Sequence, residues 1–83
     1  MRALNGDSNR MSREVTDAAI REFLECIRQR LDKAGAIAKA AEACVEAGDA
    51  GQAVSIILDV EQPIYEVTTF LNAASLINRC SGS

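Results

Sequence analysis

The chain has 83 residues, about half of them apolar, with nine basic and twelve acidic side chains and neither His nor Trp. A chain this short supports one small core, which excludes multidomain enzymes, and the lack of His removes the commonest general acid–base side chain. Only three residues are aromatic. Ala, Ile, Leu and Val must therefore build the core, which favours closely packed helices.

Charge and cysteine usage limit the partners and the compartment. Residues 1–33 carry a net charge of +1 and residues 34–83 a net charge of −4, so most of the surface would repel a polyanion and nucleic acid is a disfavoured partner. Cys26, Cys44 and Cys80 fit neither a paired disulfide framework nor a metal-site spacing. The first ten residues lack the apolar stretch of a signal peptide, and no apolar run approaches a membrane span. We expect a cytoplasmic protein without cofactor or metal, in which Cys80 could be exposed.

The first element is a long helix over residues 12–33, preceded by a flexible tail over residues 1–11 that has no apolar period. Its apolar residues recur at alternating spacings of four and three, which is the seam of a helix that packs on another helix. Phe23 broadens this seam. Its other members are Ile20, Leu24, Ile27, Leu31 and Ala34.

Two shorter helices are predicted next. Gly35 interrupts the apolar pattern, and the Ala-rich residues 36–47 then form a second helix that ends at Gly48. Asp49, with Gln52 three residues on, resembles a capping box that starts a third helix over residues 50–60. The third helix is apolar on nearly every side and should lie centrally, although a buried strand is an alternative for so β-branched a run.

A fourth helix is predicted to begin near Pro63. Proline suits the first turn of a helix, because the N–H that it lacks would have no partner there. This helix carries two adjacent apolar seams, more than one packing neighbour needs, and residues 81–83 should fray. The sequence therefore predicts an all-α fold, a small four-helix bundle over residues 12–80 that forms a homodimer, since so small a core often needs association. The predicted dimer contact comprises Phe23, Leu24, Ile27 and Leu31.

The stretch around Gly48 is similar to the helix-turn-helix of the phage-repressor type. Gly48 stands at the turn glycine, Cys44 at the small position, and Val54 and Ile57 where the second helix packs inward. The resemblance implies a DNA-binding transcriptional regulator. The sequence departs from the pattern at Asp49, where an apolar residue is usual, and its recognition helix would hold no Arg or Lys for phosphate and base-edge contacts.

The same helix pair also resembles one tetratricopeptide-type hairpin, with Ala41, Gly48, Asp49, Ala53 and Ile57 near small and apolar consensus positions. One hairpin is too little for a solenoid, which needs at least about three repeats. What the resemblance implies is geometric, an antiparallel hairpin with a tight Gly-Asp turn. A plain capped helical hairpin accounts for the same residues.

The sequence holds no phosphate loop, dinucleotide fingerprint or metal-ligand motif. We therefore expect a small non-enzymatic regulatory protein, with no catalytic residues, that binds and sequesters or inhibits a partner protein through apolar helix faces, as an adaptor, inhibitor or anti-activator. The alternatives are the DNA-binding regulator and a structural subunit of a larger assembly. The predicted protein-binding residues are Tyr65, Phe70, Leu71 and Ile77.

Overall fold

The computed structural model describes residues 2–82 of the chain, with side chains described for residues 13–80. Helix α1 spans Arg2–Glu46, helix α2 Ala50–Ile57 and helix α3 Glu61–Gly82, and one turn of 3₁₀-helix, Leu58–Val60, joins α2 to α3. Every described residue outside the turn at positions 47–49 is helical. The prediction of an all-helical chain is confirmed over residues 2–82, and the strand alternative for residues 50–60 is wrong.

The helices form a hairpin of two arms. The first arm is α1, and the second arm is α2, the 3₁₀ turn and α3 in series, which all run back along α1. Arg30 of α1 contacts Glu66, and Phe23, further towards the N-terminus, contacts Phe70, so the arms are antiparallel. The chain accordingly measures 69 × 14 × 13 Å along its principal axes.

The hairpin has two long arms where the sequence predicted four separate helices. Gly35 does not interrupt α1, which continues to Glu46. A glycine inside a helix costs only about 1 kcal/mol relative to alanine, and Ala34 and Ala41, on either side of it, are both buried. The face of α1 that carries Ala34 and Ala41 packs on the second arm, and this packing offsets the cost of the glycine. The bundle of four helices within one chain is therefore not what the chain forms.

The turn between the arms is held by its backbone. The Gly48 N–H donates to the Val45 carbonyl at 2.9 Å and the Asp49 N–H donates to the Cys44 carbonyl at 2.8 Å, the two bonds of a Schellman motif. Gly48 has a φ of 89°, which favours glycine. The Asp49 side chain then accepts from the Gln52 N–H at 2.9 Å and caps α2. The predicted helix end at Gly48 and helix start after Asp49 are both confirmed.

Pro63 explains the 3₁₀ turn between α2 and α3. A proline cannot donate to the carbonyl four residues earlier, and its ring crowds that carbonyl. The chain tightens just before it, where the Glu61 N–H bonds to the Leu58 carbonyl three residues back. The proline itself is buried, with less than 2% of its surface exposed. Pro63 thus accounts for the tightened turn in the second arm and lies on the buried face of that arm.

A single seam runs along the hairpin. In each arm, buried or half-buried residues alternate at spacings of three and four, the pattern of two helices packed side by side. The arms bury little: among residues 13–80, the buried hydrophobic side chains besides Pro63 are Ala34, Ala41 and Ala53. The seam comprises Ile20, Phe23, Ile27, Arg30, Ala34, Ile37, Ala41 and Cys44 in α1, and Ala53, Ile56, Val60, Pro63, Val67, Phe70, Ala74 and Ile77 in the second arm.

The third predicted helix does not lie centrally. Val54 and Leu58 are more than half exposed, and Ile56 and Val60 are half-buried in the seam. A two-arm hairpin covers only one face of each arm, so an element that is apolar on most sides must expose the rest. The predicted tails, residues 1–11 and 81–83, fall on residues whose side chains lie outside the described range, and they stay predictions.

Candidate interaction surfaces

A row of large apolar side chains lies along one side of the hairpin, beside the seam. Each of its residues directly follows a seam residue, and the row repeats every seven residues in both arms. These side chains are between 36% and 57% exposed. We call this row the flank, and it consists of Leu24, Leu31 and Val45 in α1 and Ile57, Ile64 and Leu71 in the second arm, with the smaller Ala38 between Leu31 and Val45.

The two halves of the flank face the same way because the arms are antiparallel. In a parallel helix pair, the row that follows the seam on one helix faces the row that precedes the seam on the other. When one helix is reversed, the row that follows the seam on one helix faces the same row on the other. With the register set by Arg30 and Glu66, Leu24 is level with Leu71 and Leu31 with Ile64. The flank is therefore one continuous surface across both arms.

The opposite side of the hairpin has different chemistry. Its rows hold small or charged residues, including Cys26, Lys33, Asp59 and Glu66, and Lys33 lies close enough to Glu66 to act on its pKa. The hairpin thus has one apolar side and one side of small and charged groups. This asymmetry is typical of a helix pair that packs against further helices on one side only.

A polar cluster interrupts the seam at Arg30. The Arg30 Nε donates to the Glu66 Oε1 at 2.8 Å, and the two side chains are about one-third exposed. The Gln62 amide donates to the Glu66 Oε2 at 3.3 Å. The Arg30 guanidinium also lies 5.7 Å from the centre of the Phe70 ring, within cation–π range, and the Phe23 ring centre is 6.0 Å from that of Phe70.

Electrostatics at this cluster favour an ionised Glu66. The hydrogen bond from Gln62 lowers the pKa of the Glu66 carboxyl most, and the hydrogen bond and charge of Arg30, with the charge of Lys33, lower it further. Desolvation acts in the opposite direction but does not prevail. Because a polar residue in a helical seam pairs well at one alignment only, the cluster favours the observed register of the arms.

A second apolar surface lies on the outer face of the second arm, which we call the outer patch. It consists of Val54, Leu58 and Tyr65, which are 59%, 56% and 68% exposed. Beyond Tyr65, the hydroxyls of Thr68 and Thr69 donate to the carbonyls of Ile64 and Tyr65. These hydroxyls are therefore paired within their own helix, and this face is less polar than its sequence indicates.

The structure divides the predicted protein-binding residues among three places. Phe70 and Ile77 are half-buried in the seam, Leu71 lies on the flank and Tyr65 belongs to the outer patch. Phe70 is in contact with Phe23 and Arg30, so its ring already packs within the chain.

The predicted dimer contact is divided in the same way. Phe23 and Ile27 are half-buried in the seam, whereas Leu24 and Leu31 are 57% and 49% exposed on the flank. The spacing predicts one seam through Ile20, Leu24 and Ile27, which the structure corrects. Leu24 and Leu31 lie beside the seam, and Phe23 and Arg30 lie within it. Sequence reasoning missed Val45, Ile57 and Ile64 on the flank, although their seven-residue recurrence with Leu24, Leu31 and Leu71 could have found them.

The cysteines and the acidic residues are further candidates for a chemical role. The three cysteines are free, with Cys26 and Cys44 half-buried and Cys80 exposed. Within the described part of the chain, no three His, Cys, Asp or Glu residues come together in a group that could hold a metal ion. None of the described helices is both long and apolar enough to cross a membrane.

The turn at Gly48 joins antiparallel helices. In a helix-turn-helix the two helices meet at about 90–120°, whereas α2 lies back along α1. The geometry at Gly48 is that of a capped helical hairpin, and it does not favour the DNA-binding interpretation. Comparison with protein-family models, with curated proteins and with solved structures finds no match for this chain.

Proposed function

We propose that this chain is a small non-enzymatic protein that binds a partner protein through exposed apolar helix surfaces and thereby sequesters or inhibits it. One observation carries the proposal: large aliphatic side chains lie mostly at the surface, while the buried residues among positions 13–80 are three alanines and Pro63. Exposed apolar surface that is contiguous over several turns commonly marks an interface. A partner that covers such a surface gains the hydrophobic free energy which the hairpin alone leaves unused.

The outer patch is the surface that we assign to the partner protein. Among residues 13–80, Tyr65 is the most exposed large hydrophobic residue, and tyrosine is enriched at the centres of protein interfaces because it combines a large apolar ring with a hydroxyl. Leu58, seven residues earlier, lies on the same face of the arm.

Charge around the outer patch indicates what the partner presents. Glu61 lies between Leu58 and Tyr65 on the same helix face, and Asp59 is adjacent in sequence. Residues 34–83 carry a net charge of −4. We therefore expect the partner to offer an apolar surface bordered by Lys or Arg, because opposite charges at the rim speed association and exclude acidic competitors. Binding would block whatever contact the partner makes with the same basic-edged surface.

The experiment is affinity capture by the tagged chain from its native extract with nuclease treatment, comparing wild type with three variants. We expect wild type to retain one protein at near-stoichiometric yield, and Tyr65→Asp and Leu58→Asp to lose it. Gln29→Asp is the matched control, since it adds the same charge at an exposed position of α1, and it should retain the partner. Equal capture by wild type and Tyr65→Asp would contradict the assignment of the outer patch.

The purified chain and its captured partner also distinguish the proposed function from a DNA-binding regulator and from a structural subunit. A DNA-binding regulator would bind duplex DNA at low salt, because even non-specific binding is strong there, and we expect no binding. A structural subunit would remain in its assembly through dilution and washing, whereas a regulator exchanges. Dissociation of the captured protein on dilution would therefore support regulation over a permanent structural role.

A further inference from the structure

We propose that the flank is covered by a second copy of this chain, and that the two hairpins form a four-helix bundle with their turns at opposite ends. This inference concerns a different row of side chains from the outer patch, which it adjoins at Glu61. It goes beyond the proposed function and does not depend on it. It rests on three features of the flank, namely its size, its pattern of large and small residues, and the charges along its α1 edge.

The flank has the size of a dimer interface. From Leu24 to Val45 it follows 21 residues of α1, which is roughly 30 Å of helix, and it is two helices, roughly 20 Å, wide. The resulting area of about 600 Å² approaches the ~800 Å² per partner that specific complexes bury. The opposite side of the hairpin, with its small and charged residues, offers no comparable surface.

The flank is complementary to itself when one copy is turned end over end. At one end of the flank, two large side chains, Leu24 and Leu71, lie level with each other and make the apolar surface wide. At the other end Val45 lies level with the small Ala50, so the apolar surface is narrower there. A half turn about an axis across the middle of the flank places the wide level of one copy against the narrow level of the other. It also places the level of Leu31 and Ile64 against that of Ala38 and Ile57.

The edge of the flank on α1 has the same symmetry. Arg28 and Glu42 lie seven residues on either side of Gly35 on this edge. The same half turn therefore brings Arg28 of each copy towards Glu42 of the other, where opposite charges attract. Arg28 has a weak competitor within its own chain, since its ion pair with Asp32 is long, at 3.9 Å, and exposed.

Gly35 lies at the centre of this arrangement, where the two α1 helices would approach. Nothing in its own chain lies within 4 Å of where a Cβ would stand, so a neighbouring helix can come close. One approach is unfavourable: Glu61 of the second arm lies near the same axis and would meet its own copy. The two attractive Arg28–Glu42 pairs outnumber this one repulsive pair.

The competing bundle, with both turns at one end, lacks these matches. It would place the large Leu24 and Leu71 side chains of one copy against the same large side chains of the other. At the opposite end, the smaller Val45 and Ala50 of the two copies would face each other and leave space between them. It would also bring Arg28 opposite the neutral Thr68 in place of an acid. Packing and charge thus both favour turns at opposite ends.

Sedimentation equilibrium on the full chain tests the occupant. We expect wild type to have twice the monomer mass of 8.9 kDa, and Leu31→Glu on the flank to weaken dimerisation at least tenfold. Leu58→Glu is the matched control, because it makes the same change at a similarly exposed position of the outer patch, and it should sediment as wild type. A helical wild type at monomer mass, or a Leu31→Glu variant that remains a dimer, would overturn the proposal.

A distance measurement tests the arrangement without a flank variant, which guards against Leu31→Glu failing to fold. Spin labels at Ala47→Cys, with the native cysteines replaced by alanine, would lie roughly 35–40 Å apart if the turns are at opposite ends of the bundle, and under about 25 Å if they share one end. The shorter distance, or no dipolar coupling, would contradict the proposed bundle. Tyr65→Asp should leave the dimer mass unchanged, so failure of this inference and failure of the proposed function are separately visible.

Discussion

Two adjacent residues, Gly48 and Asp49, determine where the chain reverses. Gly48 has a positive φ of 89° that lets its N–H and that of Asp49 bond to the last carbonyls of α1. The Asp49 side chain then satisfies the Gln52 N–H at the start of α2. Because both requirements are local, the position of the turn is predictable from these residue types alone.

Gly48→Ala should destabilise the hairpin by about 1–2 kcal/mol, because a side chain in the left-handed region brings its Cβ against the backbone. Urea unfolding followed by circular dichroism measures this change. Gly51→Ala is the control within the same segment: Gly51 is helical and an added Cβ would make only ordinary contact with Asp49, at 3.7 Å. It should stabilise by about 0.5–1 kcal/mol, and equal effects of the two changes would contradict the account of the turn.

Glu66 makes part of the stability dependent on pH. Gln62 and Arg30 hold the pKa of its carboxyl below the ordinary value, so the ionised form is favoured in the folded state. A lowered folded-state pKa gives stability that is present above the unfolded-state pKa and is lost as pH falls through the lowered one. Unfolding of wild type should therefore become easier on acidification through that range, and Glu66→Gln should lose that part of the change. An identical pH dependence in the two proteins would show that the cluster contributes nothing to it.

At the scale of the elements, the seam pairs two arms of seven-residue periodicity and has one charged position in α1, Arg30. Arg30 meets Glu66 and the Phe70 ring at the observed alignment. Sliding one arm by a turn would keep apolar residues against apolar residues but separate this cluster. The cluster therefore selects the register more than it adds stability.

Arg30→Leu should separate these two effects. We expect the variant to melt at the same temperature as wild type or higher, because an apolar side chain suits the seam and Glu66 is exposed enough to remain hydrated. We also expect its mass distribution in sedimentation velocity to broaden, as alternative alignments become accessible. A single sharp species with a lowered melting temperature would mean that the pair acts as an ordinary stabilising contact.

The sequence was sufficient to predict helical elements and their turn but not the boundaries and faces of the long arms. The prediction of a break at Gly35 was wrong because the small loss from one glycine is outweighed by packing of Ala34 and Ala41 along the same face. Leu24 and Leu31 are difficult to assign because three adjacent rows of α1 are mostly apolar. The row of Ile20 and Ile27 alternates at spacings of four and three with the row of Leu24 and Leu31. It does so equally with the row of Phe23 and Arg30. Arg30 interrupts the row of Phe23 and Ile37, and a charged residue is more typical of a solvent-facing row than of a seam.

The whole molecule is a long, thin hairpin. Its Cα radius of gyration is 19.6 Å, against about 12 Å for a compact chain of this length. Such a shape leaves each arm with a single covered face, and the described seam buries little besides Ala34, Ala41, Ala53 and Pro63. Two helices with so small a buried core gain little stability by themselves, since most helical stability comes from tertiary packing. In the proposed dimer, association through the flank would supply the missing packing.

The central claim, that a second copy covers the apolar flank and completes the core, is tested most directly by thermal unfolding of the wild-type chain over a hundredfold range of protein concentration. If folding is coupled to association, mass action stabilises the folded dimer as concentration rises, and the melting temperature should increase by several degrees. A cooperative transition whose midpoint does not move with concentration would contradict the claim, because it would show that the hairpin is stable without a partner on its flank.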